Sequence, residues 1–226
     1  MLVWLALVAA VAAQQPAAPQ VPSIVTVGEA VVRRAPDRAF VMVSVETRAK
    51  SPRDAQRLNA EAMTAVQQRL TQARLAKDAI RTTGYDLQQE VDFVQGRRVP
   101  REFVARNGLE VRVDEIGRTG EILDAVVQVG ATSVSGIRFD LQDRDTVERE
   151  ALRLAVADAR ARADAAASGA GRTVDHILRI EDARDSGIIS PRPMMTMARA
   201  EAAAQTPVEP GLIEIHARVT LTASMK

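Results

Sequence analysis

The chain contains no cysteine among its 226 residues. Cysteine supplies disulfide bonds, thiol nucleophiles and thiolate metal ligands, so the sequence excludes all three. It also excludes attachment to a membrane through a lipidated N-terminal cysteine. The fold must therefore be stabilised by packing, hydrogen bonds and ion pairs alone.

Aromatic residues and an excess of charge of one sign are also scarce. Phe, Trp and Tyr make up 3% of the chain, too few for the stacked aromatic platforms that bind single-stranded nucleic acid. The 30 basic residues are balanced by 29 acidic ones, so the net charge is +1 and there is no basic field for nucleic acid. We therefore expect no nucleic-acid partner.

Motifs that carry chemistry are missing as well. The two histidines, His176 and His216, have no HExxH spacing, and no glycine run matches a phosphate-binding loop. We expect His176 on the apolar face of a strand, as a core or interface residue, and His216 exposed beside Glu214 and Arg218. No pair of acids is set apart by apolar neighbours. The sequence predicts no catalytic, cofactor-binding or metal-binding residue, no cofactor and no enzymatic activity.

The first 13 residues, MLVWLALVAAVAA, are apolar and uncharged, and they are too short to span a bilayer. Val11-Ala12-Ala13 fits the small-residue pattern that precedes a signal-peptidase cut. We predict a signal peptide over residues 1–13 and a disordered Gln/Pro/Ala linker over residues 14–22. The mature chain is then periplasmic or secreted and has no membrane span. The alternative is a buried N-terminal helix.

A long helix is predicted from Asp145 to about Ser168. Its apolar stripe recurs every four residues and is mostly alanine, which predicts close packing against a sheet. The stripe consists of Val147, Ala151, Ala155, Ala159 and Ala163, widened by Leu152 and Val156. Asp145 and Glu148 have the spacing of a capping box, and Gly169 and Gly171 mark the end.

Two shorter helices are predicted. The first begins at Ser51-Pro52, with serine as N-cap and proline in the first turn, and the second covers about Gly117–Val129. The inward face of the first helix is expected to consist of Ala55, Leu58, Ala62, Val66 and Leu70.

Alternating apolar and polar residues predict seven strands. They cover Ser23–Arg34, Ala39–Thr47, Ile80–Phe93, Phe103–Asp114, Ser133–Leu141, Val174–Ile180 and Ile213–Leu221. We expect the first two to form a hairpin around Ala35-Pro36-Asp37, with a bulge at Gly28. The next two form a long hairpin around a loop over Gln95–Pro100, with Tyr85, Leu87, Val91 and Phe93 on one face. This pattern predicts an α+β fold: mixed or antiparallel sheets with a long Ala-rich helix and two shorter helices packed on them.

Residues Arg184 to Gly211 have no periodicity and are rich in Pro, Ala and Met. A loop of this length is unusual within a compact domain. Its thioethers suit a Cu(I) site, its apolar side chains suit a partner or a neighbouring subunit, and a mobile loop is the third alternative. We predict interaction residues at Ile188, Ile189, Met194, Met195 and Met197.

Four stretches in order carry a family resemblance: VTVGEAVVRRAPDRAFVMVSVET from Val25, NGLEVRVDEIGRTGEILDAVVQVGATSVSGIRFDL at Asn107–Leu141, EREALRLAVADARARADAAASGAGRTV at Glu148–Val174, and ARAEAAAQTPVEPGLIEIHARVTLT at Ala198–Thr222. In them the chain resembles the SIMPL-domain (DUF541) proteins of bacterial periplasms. The resemblance implies one SIMPL-like domain over residues 23–226 with a long loop at 184–211. The chain departs from the family at Ala73-Arg74-Leu75-Ala76, where members often have a glycine.

The resemblance also implies a function. Bacterial members are linked to stress tolerance and immunogenicity, and some assemble into ring-like oligomers. It supplies no catalytic residues to carry over. We therefore expect a non-enzymatic assembly or interaction protein, a homo-oligomer linked to envelope or oxidative stress tolerance. The alternative is a binding module for a small or polymeric envelope ligand, and an enzyme with dispersed carboxylates comes third.

Overall fold

The computed structural model describes residues 21–183 and 206–226. These residues form two sheets and three α-helices. The strands are β1 (Ser23–Arg34), β2 (Arg38–Ala49), β3 (Ile80–Val94), β4 (Arg97–Val113), β5 (Ser133–Asp140), β6 (Val174–Asp182) and β7 (Ile213–Met225). The helices are α1 (Pro52–Gln72), α2 (Thr119–Gln128) and α3 (Arg144–Gly169). The predicted α+β class is confirmed, with antiparallel strand pairs in both sheets.

The pairing of the first two strands was predicted wrongly. β1 belongs to a three-stranded sheet of order β1-β7-β6, whereas β2 belongs to a four-stranded sheet of order β3-β4-β2-β5. The connecting residue Asp37 bonds to the end of β5 instead of closing a hairpin: its amide donates to the Asp140 carbonyl at 3.2 Å, and its carboxylate accepts from the Gln142 amide at 2.7 Å. Alternation identifies a strand but leaves its partner open.

Two compact units can be distinguished within the described residues. The first comprises residues up to 30, residues 152–183 and residues 217–226, and the second comprises residues 31–151 and 206–216. The boundary falls inside β1, α3 and β7. Each unit has its own apolar core.

The core of the first unit lies between α3 and the three-stranded sheet. Ala155, Ala159 and Ala163 are fully buried, as predicted, and pack with Val219 and Leu221 of β7. Because alanine is small, the helix backbone comes close to β1.

Gly28 of β1, where a bulge is expected, lies against the backbone of α3. A Cβ atom there would overlap the Ala155 carbonyl oxygen and lie 2.7 Å from the Ala159 Cβ. The neighbouring Thr26 hydroxyl donates to the Ala159 carbonyl at 2.8 Å.

The core of the second unit lies between α1, α2 and one face of the four-stranded sheet. Val41, Val43 and Val45 of β2 point into it, as their alternation predicts. The inward face of α1 differs from the prediction, because Leu58 is 37% exposed while Asn59 and Met63 are buried. The Asn59 amide donates to the carbonyls of Val45 and Ala105, both at 3.0 Å, and these hydrogen bonds offset the cost of burying it.

The hairpin of β3 and β4 is confirmed and is longer than predicted. Only Gln95 and Gly96 form its turn, both with positive φ, so the expected loop over Gln95–Pro100 is mostly strand. β2 pairs with β4 only from Phe103 onward. The hairpin therefore continues past β2 as a two-stranded ribbon, Val91–Arg101, hereafter the ribbon.

The start of α3 also corrects the prediction. The side chain of Asp143 accepts from the amide of Thr146 at 3.1 Å, so Asp143 is the N-cap in place of Asp145. Glu148, the expected partner of Asp145, instead accepts from Arg144 at 2.9 Å. Asp143 and Asp145 offer the same capping chemistry, and the N-cap lies two residues earlier than predicted.

Candidate functional site

The open face of the four-stranded sheet, which lies opposite α1, carries polar side chains that alternate with the buried valines. At its centre, four small residues form a row across the strands: Gly84, Gly108, Ser44 and Ser133 are register partners in β3, β4, β2 and β5. A Cβ at Gly108 would lie 2.8 Å from the Thr83 hydroxyl, so a larger residue there would displace the Thr83 side chain. The row creates a shallow trough of about 510 Å³.

Charged side chains border the trough, and they are paired. Arg106 lies 2.6 Å from Glu46, 3.3 Å from Glu90 and 3.8 Å from Asp86. The hydrogen bond to Glu46 raises the pKa of Arg106 above its already high ordinary value. Glu46 also forms an ion pair with Arg48 at 2.6 Å. The three carboxylates beside the trough therefore share two arginines, and each of them lies within ion-pair distance of at least one.

Arginine pairing continues along the open face beyond the trough. Asp114 accepts hydrogen bonds from Arg38 at 2.6 Å and Arg112 at 3.1 Å. Partial burial by itself would raise the pKa of Asp114, but these two arginines outweigh it and hold the pKa below its ordinary value. Arg138 lies over the Phe40 ring, 4.1 Å from the centroid. The face is an ordered network of ion pairs, and no sequence motif indicated it because it depends on strand register.

The ribbon is a second candidate interaction surface, after the open face of the sheet. Its register pairs Phe93 with Arg98 and Val94 with Arg97, while Arg101 bonds to Asp92 at 2.8 Å across the two strands. Phe93 is 72% exposed. The predicted common face of Tyr85, Leu87, Val91 and Phe93 is broken by a register shift between Gln89 and Val91, and Tyr85 is also exposed. The ribbon therefore presents apolar side chains that no described residue covers.

The third feature is β6, an edge strand of the three-stranded sheet. Ile177, Leu178 and Ile180 are exposed on it, Leu178 by 56%. We refer to these three residues and their charged strand neighbours as the β6 edge. Register shifts on both sides of Ile177 displace the side chains from simple alternation. An exposed apolar edge strand is a surface on which proteins pair or dock.

Both histidines are exposed and lie beside carboxylates. His176 was expected in a core or interface, but its side chain is 76% exposed, because β6 is an edge strand with irregular register. The pKa of the neighbouring Asp175 is lowered by a hydrogen bond from Lys226 at 3.0 Å. His216 is exposed as predicted and lies 3.5 Å from Glu214, which also accepts from Arg33 at 2.7 Å.

The predicted interaction residues Ile188, Ile189, Met194, Met195 and Met197 lie outside the described residues, as do the predicted signal peptide and most of the linker. In the described ranges, His and carboxylate groups do not gather in a cluster of three or more suited to a metal ion. No helix within those ranges has both the length and the apolar character needed to cross a bilayer.

Relatives from three organisms share much of the chain. A 26 kDa periplasmic immunogenic protein of Brucella abortus (strain S19) is 32% identical over 161 residues, which cover 67% of this chain and 64% of the relative. Its counterpart in Brucella melitensis biotype 1 is 31% identical over the same fractions of the two chains, 67% of this chain and 64% of the relative. The uncharacterized protein YggE of Escherichia coli (strain K12) is 24% identical over 87% of this chain and 79% of its own.

The chain spans 64% of the length of the Brucella relatives that it matches. The family model of SIMPL, described as a protein of unknown function (DUF541), matches residues 24–223 and so covers both sheets and all three helices described above. The chain therefore belongs to the SIMPL (DUF541) family.

Proposed function

We propose that this chain is a non-enzymatic periplasmic protein that self-associates through its ribbon into a homo-oligomer larger than a dimer. The observation that carries the proposal is the ribbon itself. Among the described residues its strands pair only with each other, and an isolated two-stranded hairpin has marginal stability in water. A second copy that covers Phe93, Val94 and Val99 would remove this apolar surface from solvent.

The remaining contacts of the ribbon support this interpretation. Pro100 pairs with Val91 of β3 in the part of β4 that has no partner in β2, and proline within sheets is confined to edge strands, strand starts and bulges. The Gln89 side chain donates to the Arg101 carbonyl at 3.1 Å and, with the Arg101–Asp92 pair, ties the two strands together. The ribbon is therefore held in shape but left uncovered.

Light scattering on the purified protein tests self-association. We expect the native chain to have a mass above that of a dimer, and the Phe93→Gln/Val99→Gln double variant to have a smaller mass at equal concentration. Val127→Gln on α2 is the matched control, because Val127 is also an exposed apolar residue. A native chain that stays monomeric at micromolar concentration would remove the proposal.

The proposed location rests on two observations: the apolar start of the chain and the printed names of the Brucella relatives, which call those proteins periplasmic. Mass spectrometry of the protein from its native host should find an N-terminus near Gln14. An intact Met1 in a cytoplasmic fraction would contradict export.

A role in envelope or oxidative stress tolerance is part of the proposal and is supported by the family resemblance. A strain that lacks the gene should survive peroxide less well, and the native gene should restore survival. If the Phe93→Gln/Val99→Gln form restores survival fully while failing to assemble, the stress role does not depend on assembly.

A second candidate function is a binding module for an envelope ligand, and the trough favours it. The hydroxyls of Ser44 and Ser133 border about 510 Å³ of open space, a volume within the range of small-molecule sites. A ligand that binds there should raise the melting temperature of the native protein. Ser44→Trp, which would fill the trough, should abolish that rise. An unchanged rise in the variant would place the ligand elsewhere.

A further inference from the structure

We propose that the trough binds an amino sugar, or another small ligand that carries both hydroxyl groups and a protonated amine. This inference rests on the second candidate function, ligand binding in the trough, and names the class of ligand. It is argued from the polar groups that border the trough without a partner in the described protein.

Three hydroxyl groups at the trough have unused hydrogen-bonding capacity. Ser44, Thr83 and Ser133 line the trough, and none of their hydroxyls bonds to another described residue. The hydroxyl of Thr132, which also lines the trough, accepts from the Glu46 amide at 2.7 Å and donates to the Ser44 carbonyl at 3.2 Å. Thr132 therefore has a structural role, whereas the other three hydroxyls can each donate to and accept from a ligand.

A bulge in β3 brings the Thr83 hydroxyl to this face of the sheet. The register with β4 shifts between Thr82 and Gly84, which leaves Thr83 as the extra residue. Its hydroxyl lies 2.8 Å from the position that a Cβ on Gly108 would take, whereas a Cβ on Gly84 would meet nothing within 4 Å. The hydroxyl thus lies over Gly108, beside open space above Gly84. Because β-bulges often re-aim a side chain beside a functional site, this bulge supports a binding role for Thr83.

The charge of the trough favours a cationic ligand. Its lining contains three charged residues, Glu46, Asp86 and Arg106, and Glu46 and Arg106 pair with each other at 2.6 Å. Among the described residues Asp86 has one ion-pair contact, with Arg106 at 3.8 Å, and it accepts no hydrogen bond. Its side chain is 55% exposed. The lining therefore has a net negative charge, and the carboxylate of Asp86 is free to accept hydrogen bonds from a ligand.

These groups together define the chemistry of the ligand. A protonated amine suits Asp86, because a carboxylate attracts the cation and accepts its N–H groups. Ligand hydroxyls suit the hydroxyls of Ser44, Thr83 and Ser133, which both donate and accept. Asp86 would repel an anion such as phosphate, and an apolar ligand would leave the hydroxyls without partners. An amino sugar carries both of the required groups on one small ring.

Saturation-transfer difference NMR on the full chain tests the inference. The probe is D-glucosamine at a pH at which its amine is protonated, and the matched probe is D-glucose, which has no amine. We expect the native protein to bind glucosamine more tightly than glucose. Ser44→Trp should bind neither sugar, and Ser44→Ala/Ser133→Ala should bind both less tightly than the native protein does.

Replacement of single carboxylates tests the role of the amine. Asp86→Asn should lower the affinity for glucosamine by about two- to fivefold, the range expected of an exposed ion pair, and leave the affinity for glucose unchanged. Asp164→Asn is the matched control, because Asp164 is an exposed aspartate of α3 that does not line the trough. It should bind both sugars as the native protein does.

The outcomes separate this inference from the proposed functions. Equal affinity of the native protein for both sugars, or an unchanged affinity of Asp86→Asn for glucosamine, would overturn the assignment of an amine. Glucosamine that still binds to Ser44→Trp would lie outside the trough, and the inference would be wrong. The inference also fails if neither sugar binds. The trough then stays a candidate site only if another envelope ligand raises the melting temperature of the native protein and not that of Ser44→Trp. Self-association is measured separately, by light scattering.

Discussion

At Gly28, strand β1 lies against the backbone of α3, and a single methyl group there has no space. We predict that Gly28→Ala destabilises the protein by about 1–3 kcal/mol, because the added Cβ would overlap the Ala155 carbonyl and force the strand or the helix to shift. Urea unfolding of the variant and the native protein measures the difference.

Gly84→Ala is the matched control for this substitution. Gly84 also lies in a strand, but a Cβ there would meet nothing within 4 Å. The urea concentration at the unfolding midpoint of Gly84→Ala should therefore stay close to that of the native protein. Equal urea midpoints for Gly28→Ala and Gly84→Ala would show that β1 and α3 accommodate the added methyl group without loss of stability.

Asp114 gives the second prediction at this scale. Its pKa is held below the ordinary value because the hydrogen bonds from Arg38 and Arg112 outweigh the opposing effect of burial. A depressed pKa contributes stability that is complete above the unfolded-state pKa and is lost as the pH falls through the folded-state pKa. Asp114→Asn should therefore lower stability at neutral pH, by up to about 1 kcal/mol because the side chain is partly solvent-screened.

The acid limb of the stability curve tests this assignment. The decrease in melting temperature between neutral and acidic pH should be smaller in Asp114→Asn than in the native protein. Glu61→Gln, which removes an exposed helical ion pair with Arg57, is the comparison. An acid limb equally steep in Asp114→Asn and in the native protein contradicts the role of Asp114.

Single residues also define what the sequence could and could not predict. The alanine stripe of α3 was predictable, because residues four apart lie on the same face of a helix. Asn59 was not, since a buried amide at a core position is recognisable only once the carbonyls of Val45 and Ala105 are placed beside it. Its apolar neighbour Leu58 fits the predicted inward face but is partly exposed.

At the scale of elements, the start of α3 can be tested directly. Asp143 accepts from the Thr146 amide, and hydrogen bonds from the Thr146 side chain and from that amide lower the pKa of Asp143. We predict that Asp143→Ala lowers the melting temperature more than Asp145→Ala does, because only Asp143 satisfies a free amide of the first turn. Asp145 acts only through its favourable charge near the helix N-terminus. A larger decrease in melting temperature for Asp145→Ala than for Asp143→Ala would identify Asp145 as the N-cap.

The existence of the elements was more predictable than their partners. Each predicted strand is present, because alternation depends on one strand and one buried face. The pairing of β1 with β7 could not be predicted, since the partners lie almost two hundred residues apart in the sequence and a short turn after β1 suggested a hairpin. The trough escaped prediction for the same reason, because its four small residues come from four strands.

At the scale of the whole molecule, four stretches that resemble the SIMPL family in the same order along the chain predicted the family. The family model matches residues 24–223. The resemblance did not locate a site, because the candidate surfaces are combinations of exposure and charge. Phe93 resembles a core residue by its alternation and is recognisable as a surface residue only once β2 is seen to end its pairing at Phe103. The interaction residues expected between Ile188 and Met197 remain a prediction.

Attraction between the exposed Arg97 and Arg98 of the ribbon and carboxylates of a second copy would make the proposed assembly dependent on salt. The screening length falls from about 10 Å at 0.1 M salt to about 3 Å at 1 M, so attraction between exposed arginines and carboxylates weakens strongly over that range. We predict that the oligomer mass measured by light scattering falls as salt rises, and that Arg97→Glu/Arg98→Glu has a low mass at every concentration. Apolar contacts alone would instead be maintained or strengthened by sulfate salts. An oligomer whose mass is unchanged or larger at high salt would therefore assign the contact to Phe93 and Val94 rather than to the arginines.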